Sequence, residues 1–355
     1  MRAVLHTAAE FNAELANHTL GSVLAHPVGE VIIHPLGEGV GLMSAIARAE
    51  LKLTDGSSMT VIVKYPAENA NADISKGLNF YANELNYYQH IASTCPIPTP
   101  HCLYSNIEPD TQNFLLILED LDTATPGDQL ASCTEAVMTK AFTQAAEMHG
   151  RFWNKTTQWP WLNYHNEDER NLFRRDAIYQ PGVEPTLALF PEYFTGNLEN
   201  TVRTIGEHFV ELFERAMAGP QTFIHGDYRT DNMLFDEDDK TTSVIAVDWQ
   251  NSGGGRGAHD IAYFSSQSCG AELRGKPELA MLRQYHDCLL GEGVTGYSFD
   301  ECLDDYRANL LITMITPVAV CGTLDPGNER GMELGRVMLE RSLAALTSME
   351  CADLI

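Results

Sequence analysis

The stretch Phe223-Ile224-His225-Gly226-Asp227-Tyr228-Arg229-Thr230-Asp231-Asn232-Met233-Leu234-Phe235, with Val244-Ile245-Ala246-Val247-Asp248-Trp249-Gln250 soon after it, leaves this chain few ways to fold. Two apolar, β-prone runs flank a block holding a His, two Asp and an Asn. Such polar groups are expected at strand ends, held rigidly rather than dispersed in solvent. The bland form of this pattern is a hairpin, residues 232–235 against 243–247 across an acidic turn, with its carboxylates merely solvated.

The spacing says more than the hairpin. An Asp two residues after a His and an Asn five residues after that Asp reproduce the catalytic-loop pattern H-x-D-x-x-x-x-N, and a later Asp on a short apolar strand completes a magnesium site. In this reading Asp227 accepts the proton of a substrate hydroxyl, while Asn232 and Asp248 hold the metal. Magnesium is a hard cation that prefers oxygen ligands, so one neutral amide and one carboxylate can share it with a triphosphate without overloading the site with charge. Arg229, two residues after the base, can reach the γ-phosphate from the same loop; its other reading is a pairing with Asp231 or another surface carboxylate.

Upstream, residues 1 to about 20 have helical apolar spacing and little chemistry. From Val31 the pattern becomes strand-like and runs through Gly37, Gly39 and Gly41 into residues 46–51, two strands around a glycine-rich turn whose backbone can approach phosphates. Met59-Thr60-Val61-Ile62-Val63-Lys64-Tyr65 is a β-branched strand carrying a lysine, and Phe80, Glu84, Leu85, Tyr87 and Tyr88 give a helix with one acid among apolar neighbours. A Lys64–Glu84 ion pair would aim the ammonium at the α- and β-phosphates. Residues 113–121 read as a buried strand, against whose end an adenine would lie, and residues 123–128 as a crossing between lobes. Residues 135–153 read as an amphipathic helix on which His149 is a packed or solvated residue. Residues 158–191 lack clear periodicity, as an irregular connection or a substrate lid would, and 198–217 read as one helix. Three further helices are expected over 279–290, 299–320 and 329–347.

The 355 residues suffice for two lobes with real cores, and 44% hydrophobic with 20% charged residues describes a packed globular protein. The 49 acidic against 23 basic residues leave a net charge of −26. That surface repels nucleic acid and anionic membranes and suits a cationic or neutral small substrate. The eight cysteines are scattered without metal-ligand spacing, which fits reduced thiols, and no signal peptide or long apolar run is visible. A cytoplasmic protein is expected; the oligomeric state is left open.

In chain order, Lys64, Glu84, the block from His225-Gly226-Asp227 to Asn232, and Asp248 resemble the aminoglycoside phosphotransferase and choline kinase superfamily. Leu118-Glu119-Asp120-Leu121, Met148-His149-Gly150-Arg151-Phe152-Trp153 and Asp260-Ile261-Ala262-Tyr263-Phe264 are most similar to its ecdysteroid kinase-like branch. The resemblance spans roughly residues 30 to 345. It implies an α+β, bilobal protein-kinase-like fold, with a small N-terminal lobe built on an antiparallel sheet (1–121) and a larger, mostly helical catalytic and substrate-binding lobe (122–355). It further implies ATP with Mg2+, phosphorylation of a hydroxyl on a small molecule, and an Asp260 that braces the catalytic loop. Trp249-Gln250 stands where protein kinases have Phe-Gly, and only eleven residues separate Asp248 from Asp260, so no activation segment or platform for a protein substrate is expected. The other class open to such a chain is a nucleotide-binding regulatory or scaffold protein of the same fold with impaired catalysis.

Overall fold

A computed structural model of the chain describes residues 3–36, 43–67, 71–165, 167–236 and 244–355. Gly37, Gly39 and Gly41, expected to face the phosphates, lie outside the described residues, as does most of the acidic turn after Phe235. The chain divides into two compact units, residues 1–124 with 247–251, and residues 125–246 with 252–355.

The first unit is built on a five-stranded antiparallel sheet, β1 (Val28–Leu36), β2 (Ser44–Leu53), β3 (Ser58–Pro66), β4 (Cys102–Ile107) and β5 (Phe114–Glu119), in the order β1-β2-β3-β5-β4. Residues of alternate parity on β2 and β3, among them Ala47, Ala49, Leu51, Val61 and Val63, point into one core with Leu115 and Ile117. Helix α1 (Ala13–Leu20) closes that core with Ala16 and Leu20, its start fixed by Asn12, whose Oδ1 accepts the Leu15 N–H at 3.0 Å. Each such Leu or Val, fully buried, contributes about 1.5–3 kcal/mol relative to exposure. Helices α2 (Asn71–Gly77) and α3 (Phe80–His90) follow β3, and α3 buries Phe80, Tyr81, Leu85 and Tyr87 together with the carboxylate of Glu84. Strand β4 had no clear signal in the sequence, its apolar alternation being interrupted by Ser105 and Asn106.

The second unit begins within β6 (Ala124–Pro126), at Thr125, and is mostly helical. Helix α4 (Glu135–Phe152) starts at Thr134, whose hydroxyl accepts from Val137 N, and buries Met138, Ala141, Phe142, Ala145, Met148 and His149. Residues 158–191, expected to be an irregular connection or a lid, instead hold α5 (Asp168–Phe173), wide π-helical turns over Arg174–Tyr179, and α6 (Gln180–Leu189). The apolar spacing is silent there because α6 is seated by a small residue: a Cβ on Gly182 would fall 2.6 Å from Val318 O. The helix expected over 198–217 is two, α7 (Leu198–Glu207) and α8 (Phe209–Met217), parted at His208.

Short strands carry the loop of interest. Strand β7 (Thr222–Ile224) precedes it, β8 (Met233–Asp236) and β9 (Val244–Ala246) form an antiparallel hairpin after it, and β10 (Gly253–Gly255) returns to pair with β7. Then come α9 (Ala258–Ser268), buried along its whole length, α10 (Lys276–Gly291), α11 (Phe299–Thr313), α12 (Ile315–Gly322) and α13 (Glu329–Ser348). Residues 299–320 are two helices rather than one because Pro317 has no N–H for the carbonyl of Thr313. Among the described residues no helix is long and apolar enough to cross a membrane. All eight cysteines are free thiols.

Candidate active site

In the first unit, Lys64 on β3 points out of the sheet's strand end into a fully polar triad. Its Nζ lies 2.7 Å from Glu84 Oε1 and 3.0 Å from Asp248 Oδ1, and the lysine is only 5% exposed. Burial alone would lower the Lys64 pKa, but the carboxylates of Asp248 and Glu84 more than reverse that and hold the ammonium charged. Glu84 is 2% exposed, and its burial outweighs the attraction of Lys64, raising its pKa to about 7. One cation between two carboxylates leaves the group one negative charge in excess when all three are ionised. A cation placed beside Asp248 would offset that excess.

Asp248 is held in place by its neighbours. Its φ of 63° is a left-handed conformation that costs a non-glycine residue on the order of 1–3 kcal/mol, so the surroundings must over-determine it. They do so through Trp249, which is fully buried, stacks on Tyr87 of α3 with ring centroids 3.8 Å apart and planes within 10°, and donates its indole N–H to Thr99 Oγ1 at 3.2 Å. Asn83 Nδ2 donates to the next carbonyl, that of Gln250, at 3.2 Å. The aromatic side chain that follows Asp248 is thus packed into the wall of its own unit.

In the second unit, the loop between β7 and β8 turns at Gly226 (φ 80°) and presents Asp227 with its side chain 17% exposed. Asn232 spends both amide protons on this residue, donating from Nδ2 to Asp227 O and to Asp227 Oδ2, each at 2.8 Å. Its carbonyl oxygen is therefore the atom available as a ligand. Arg229 Nε stands 3.3 Å from Asp227 Oδ1, close enough for an ion pair but without hydrogen-bond alignment. The Asp231 carboxylate accepts the backbone N–H of Gln129 at 2.8 Å.

Asp260, on α9 and fully buried, holds the loop from beneath. Its Oδ2 accepts the His225 N–H at 2.8 Å and its Oδ1 the Gly226 N–H at 2.9 Å. Behind it, His149 Nε2 lies 3.1 Å from Asp260 Oδ2, and His149 Nδ1 lies 2.9 Å from the hydroxyl of Tyr285. A carboxylate can only accept, so Nε2 carries a proton toward Asp260, while the Tyr285 hydroxyl can either donate to Nδ1 or accept from it. Burial would raise the Asp260 pKa, but the His149 hydrogen bond and the surrounding histidines hold it below the ordinary value.

His149, read from sequence as packed or solvated, is thus packed with a specific partner: a histidine placed on the apolar face of α4 is the signal that would have found it. Tyr263 had no signal beyond its motif. Burial and the neighbouring Asp227 carboxylate push its phenol pKa up. Gln129 was equally invisible, being a lone amide in a turn-rich stretch.

The donor atoms are all oxygens, which fits magnesium rather than a soft metal. Among the described residues no group of three or more His, Cys, Asp or Glu side chains could hold a metal by itself. Magnesium commonly takes only one or two protein carboxylates beside phosphate oxygens, and Asp248 offers one within its own unit.

Solved structures resemble this fold over most of the chain. A candidate aminoglycoside phosphotransferase from Ralstonia eutropha matches with a TM-score of 0.54 at 13% identity, over 96% of this chain and 97% of that one. A microcompartment-associated aminopropanol kinase matches with a TM-score of 0.53 at 12% identity, over 95% and 96%. The GDP and kanamycin complex of the phosphotransferase APH(2″)-IIIa matches with a TM-score of 0.50 at 13% identity, over 93% and 97%. At such identities these likenesses establish the kinase-like fold. No curated protein sequence matches the chain. The model of the ecdysteroid kinase-like family matches residues 38–292, and the chain belongs to that family.

Proposed function

We propose that the protein is an ATP- and Mg2+-dependent phosphotransferase that phosphorylates a hydroxyl group of a small molecule. The observation that carries the reading is the buried Lys64 ammonium held between Glu84 and Asp248, an arrangement that orients a cation toward phosphate oxygens and is costly to keep for packing alone.

In the proposed reaction Asp227 accepts the proton of the acceptor hydroxyl as its oxygen attacks the terminal phosphorus. The bond from that phosphorus to the bridging oxygen breaks, and its electron pair leaves with the nucleoside diphosphate. Asn232 keeps the base oriented through its two hydrogen bonds to Asp227. Arg229 stabilises charge spreading over the transferring group, and Lys64 binds the phosphate oxygens left behind. Asp248 and the Asn232 carbonyl are the proposed magnesium ligands; the cation, when bound, neutralises charge on the phosphates.

The acceptor class follows the neighbours' own ligands only as far as "small and hydroxyl-bearing", since one is an aminopropanol kinase and another is a complex with kanamycin. The GDP in that complex makes GTP a donor to test beside ATP. The test is thermal shift with each nucleotide, with and without magnesium, followed by turnover on amino alcohols, sugars, sterols and aminoglycosides. Magnesium-dependent nucleotide binding with transfer to at least one acceptor is expected; no nucleotide binding by any route rejects the proposal.

A further inference from the structure

Residues 127–130 are laid along the loop that carries Asp227. Gly127 donates its N–H to Met233 O at 2.9 Å and has no room for a side chain, because a Cβ there would fall 2.0 Å from Thr230 O. Gln129, 1% exposed, reaches the loop twice: its backbone N–H donates to Asp231 Oδ1 and its side-chain Oε1 accepts from Arg229 Nη1 at 2.9 Å. Arg341, on α13 and outside the residues that match the family, fixes this segment from the other side. Its Nη1 donates to Gln129 O at 2.5 Å and to Gln267 O at 2.9 Å, and its Nη2 to Leu130 O at 3.2 Å.

This arrangement has a clear physical use. Arg229 is a flexible cation in a chain with 49 acidic residues, and any reachable surface carboxylate competes for it. A neutral acceptor pinned at Nη1 keeps the guanidinium beside Asp227 without neutralising its charge, which a carboxylate in the same place would partly do. We infer that Gln129 is a positioning residue for Arg229, and that Arg341 anchors it from the C-terminal helix. The inference rests on the phosphotransferase reading above.

Gln129→Met keeps the side-chain length and both backbone hydrogen bonds and removes the acceptor for Arg229, together with a long hydrogen bond of 3.4 Å from Gln129 Nε2 to Gln267 Oε1. It should lower kcat by roughly tenfold to a hundredfold, the range expected when a charged group is misplaced by about an ångström. KM for the nucleotide should stay within about twofold, with the unfolding midpoint unchanged. Gln129→Glu, which restores an acceptor but as a carboxylate that partly neutralises the guanidinium, should recover only part of the lost turnover. In an Arg229→Ala background Gln129→Met should cost nothing further, since the two residues then act as one unit.

Wild-type kcat in Gln129→Met, or a full additional loss in the Arg229→Ala background, overturns the inference while leaving the enzyme reading intact. A loss of kcat in Gln129→Met that is accompanied by a large fall in thermal stability and persists in full in the Arg229→Ala background assigns Gln129 a purely structural role and overturns it as well. A wild-type protein that transfers to no acceptor with either nucleotide overturns the phosphotransferase reading, and this inference with it.

Discussion

Asp227 and Asp248 are both carboxylates, yet their surroundings differ in a way that fits the different work proposed for them. Asp227 is flanked by an amide on one oxygen and a guanidinium near the other, at the tip of a loop with some access to solvent. Asp248 is bonded to a buried ammonium and fixed in a left-handed backbone conformation. Asp227→Asn should therefore lower turnover by about 10²-fold or more and leave nucleotide affinity nearly unchanged, because in the proposed mechanism the lost group moves a proton rather than holding nucleotide. Comparing kcat with a nucleotide Kd from calorimetry decides this; parallel losses in both would remove Asp227 from the role of base. Asp248→Ala should weaken nucleotide binding and raise the magnesium concentration needed for half-maximal activity, since an anionic ligand to a hard cation is gone. It also frees Lys64 from one of its two carboxylates. If a magnesium titration of the variant overlays the wild type, Asp248 only braces Lys64.

Among the elements, α9 and α4 have the clearest thermodynamic signature, through Asp260 and His149. The folded chain keeps Asp260 ionised to lower pH than the unfolded chain, whose ordinary carboxylate value is 3.8. The stabilisation is thus fully present above about that value and is lost as pH falls through the lower folded pKa. Urea unfolding of the wild type should show stability falling below pH 4. Asp260→Asn should flatten that decline and be weaker at pH 7 by about 3 kcal/mol, since it leaves buried N–H groups without an anionic acceptor. An unchanged acid limb in Asp260→Asn would mean that other carboxylates dominate.

The same elements mark how far the sequence could be read. The 135–153 helix, the 59–65 strand and the hairpin after Asn232 were legible because apolar spacing is set by one buried face. The Lys64–Glu84 ion pair could be anticipated from a lysine on a strand and an acid on the apolar face of a helix. What stayed hidden depends on contacts far apart in sequence. The hydrogen bond from His149 to Asp260 spans 111 residues and that from Arg229 to Gln129 spans 100, and no local pattern encodes either. Helix α6 stayed hidden for a different reason: Pro181, Gly182 and Pro185 read as breakers, while the burial they permit is close backbone packing rather than a stripe of large apolar side chains.

For the molecule as a whole, the −26 charge sets a term that no single contact controls. Two electrostatic effects oppose each other when salt is added. Local ion pairs at the surface weaken, among them Arg336 with Glu333 and Glu340, and Arg203 with Glu184 and Glu199. Such exposed pairs contribute little to begin with, because water screens them and two long side chains must be held still. Against them stands the mutual repulsion of a large acidic excess, which acts over the whole surface and is relieved as the Debye length shrinks from about 30 Å at 0.01 M salt to about 10 Å at 0.1 M. The buried Lys64 pairs, with the ammonium shielded from solvent, respond far less to ions than either surface term. Relief of repulsion should win, and thermal unfolding followed from 0.01 to 0.3 M NaCl should show Tm rising by several degrees, most steeply below 0.1 M. Sodium sulfate at matched ionic strength separates screening from ion exclusion, which adds a further rise at high concentration. A Tm that falls over the low-salt range would mean that the surface pairs, and not the acidic excess, govern this protein's electrostatic stability.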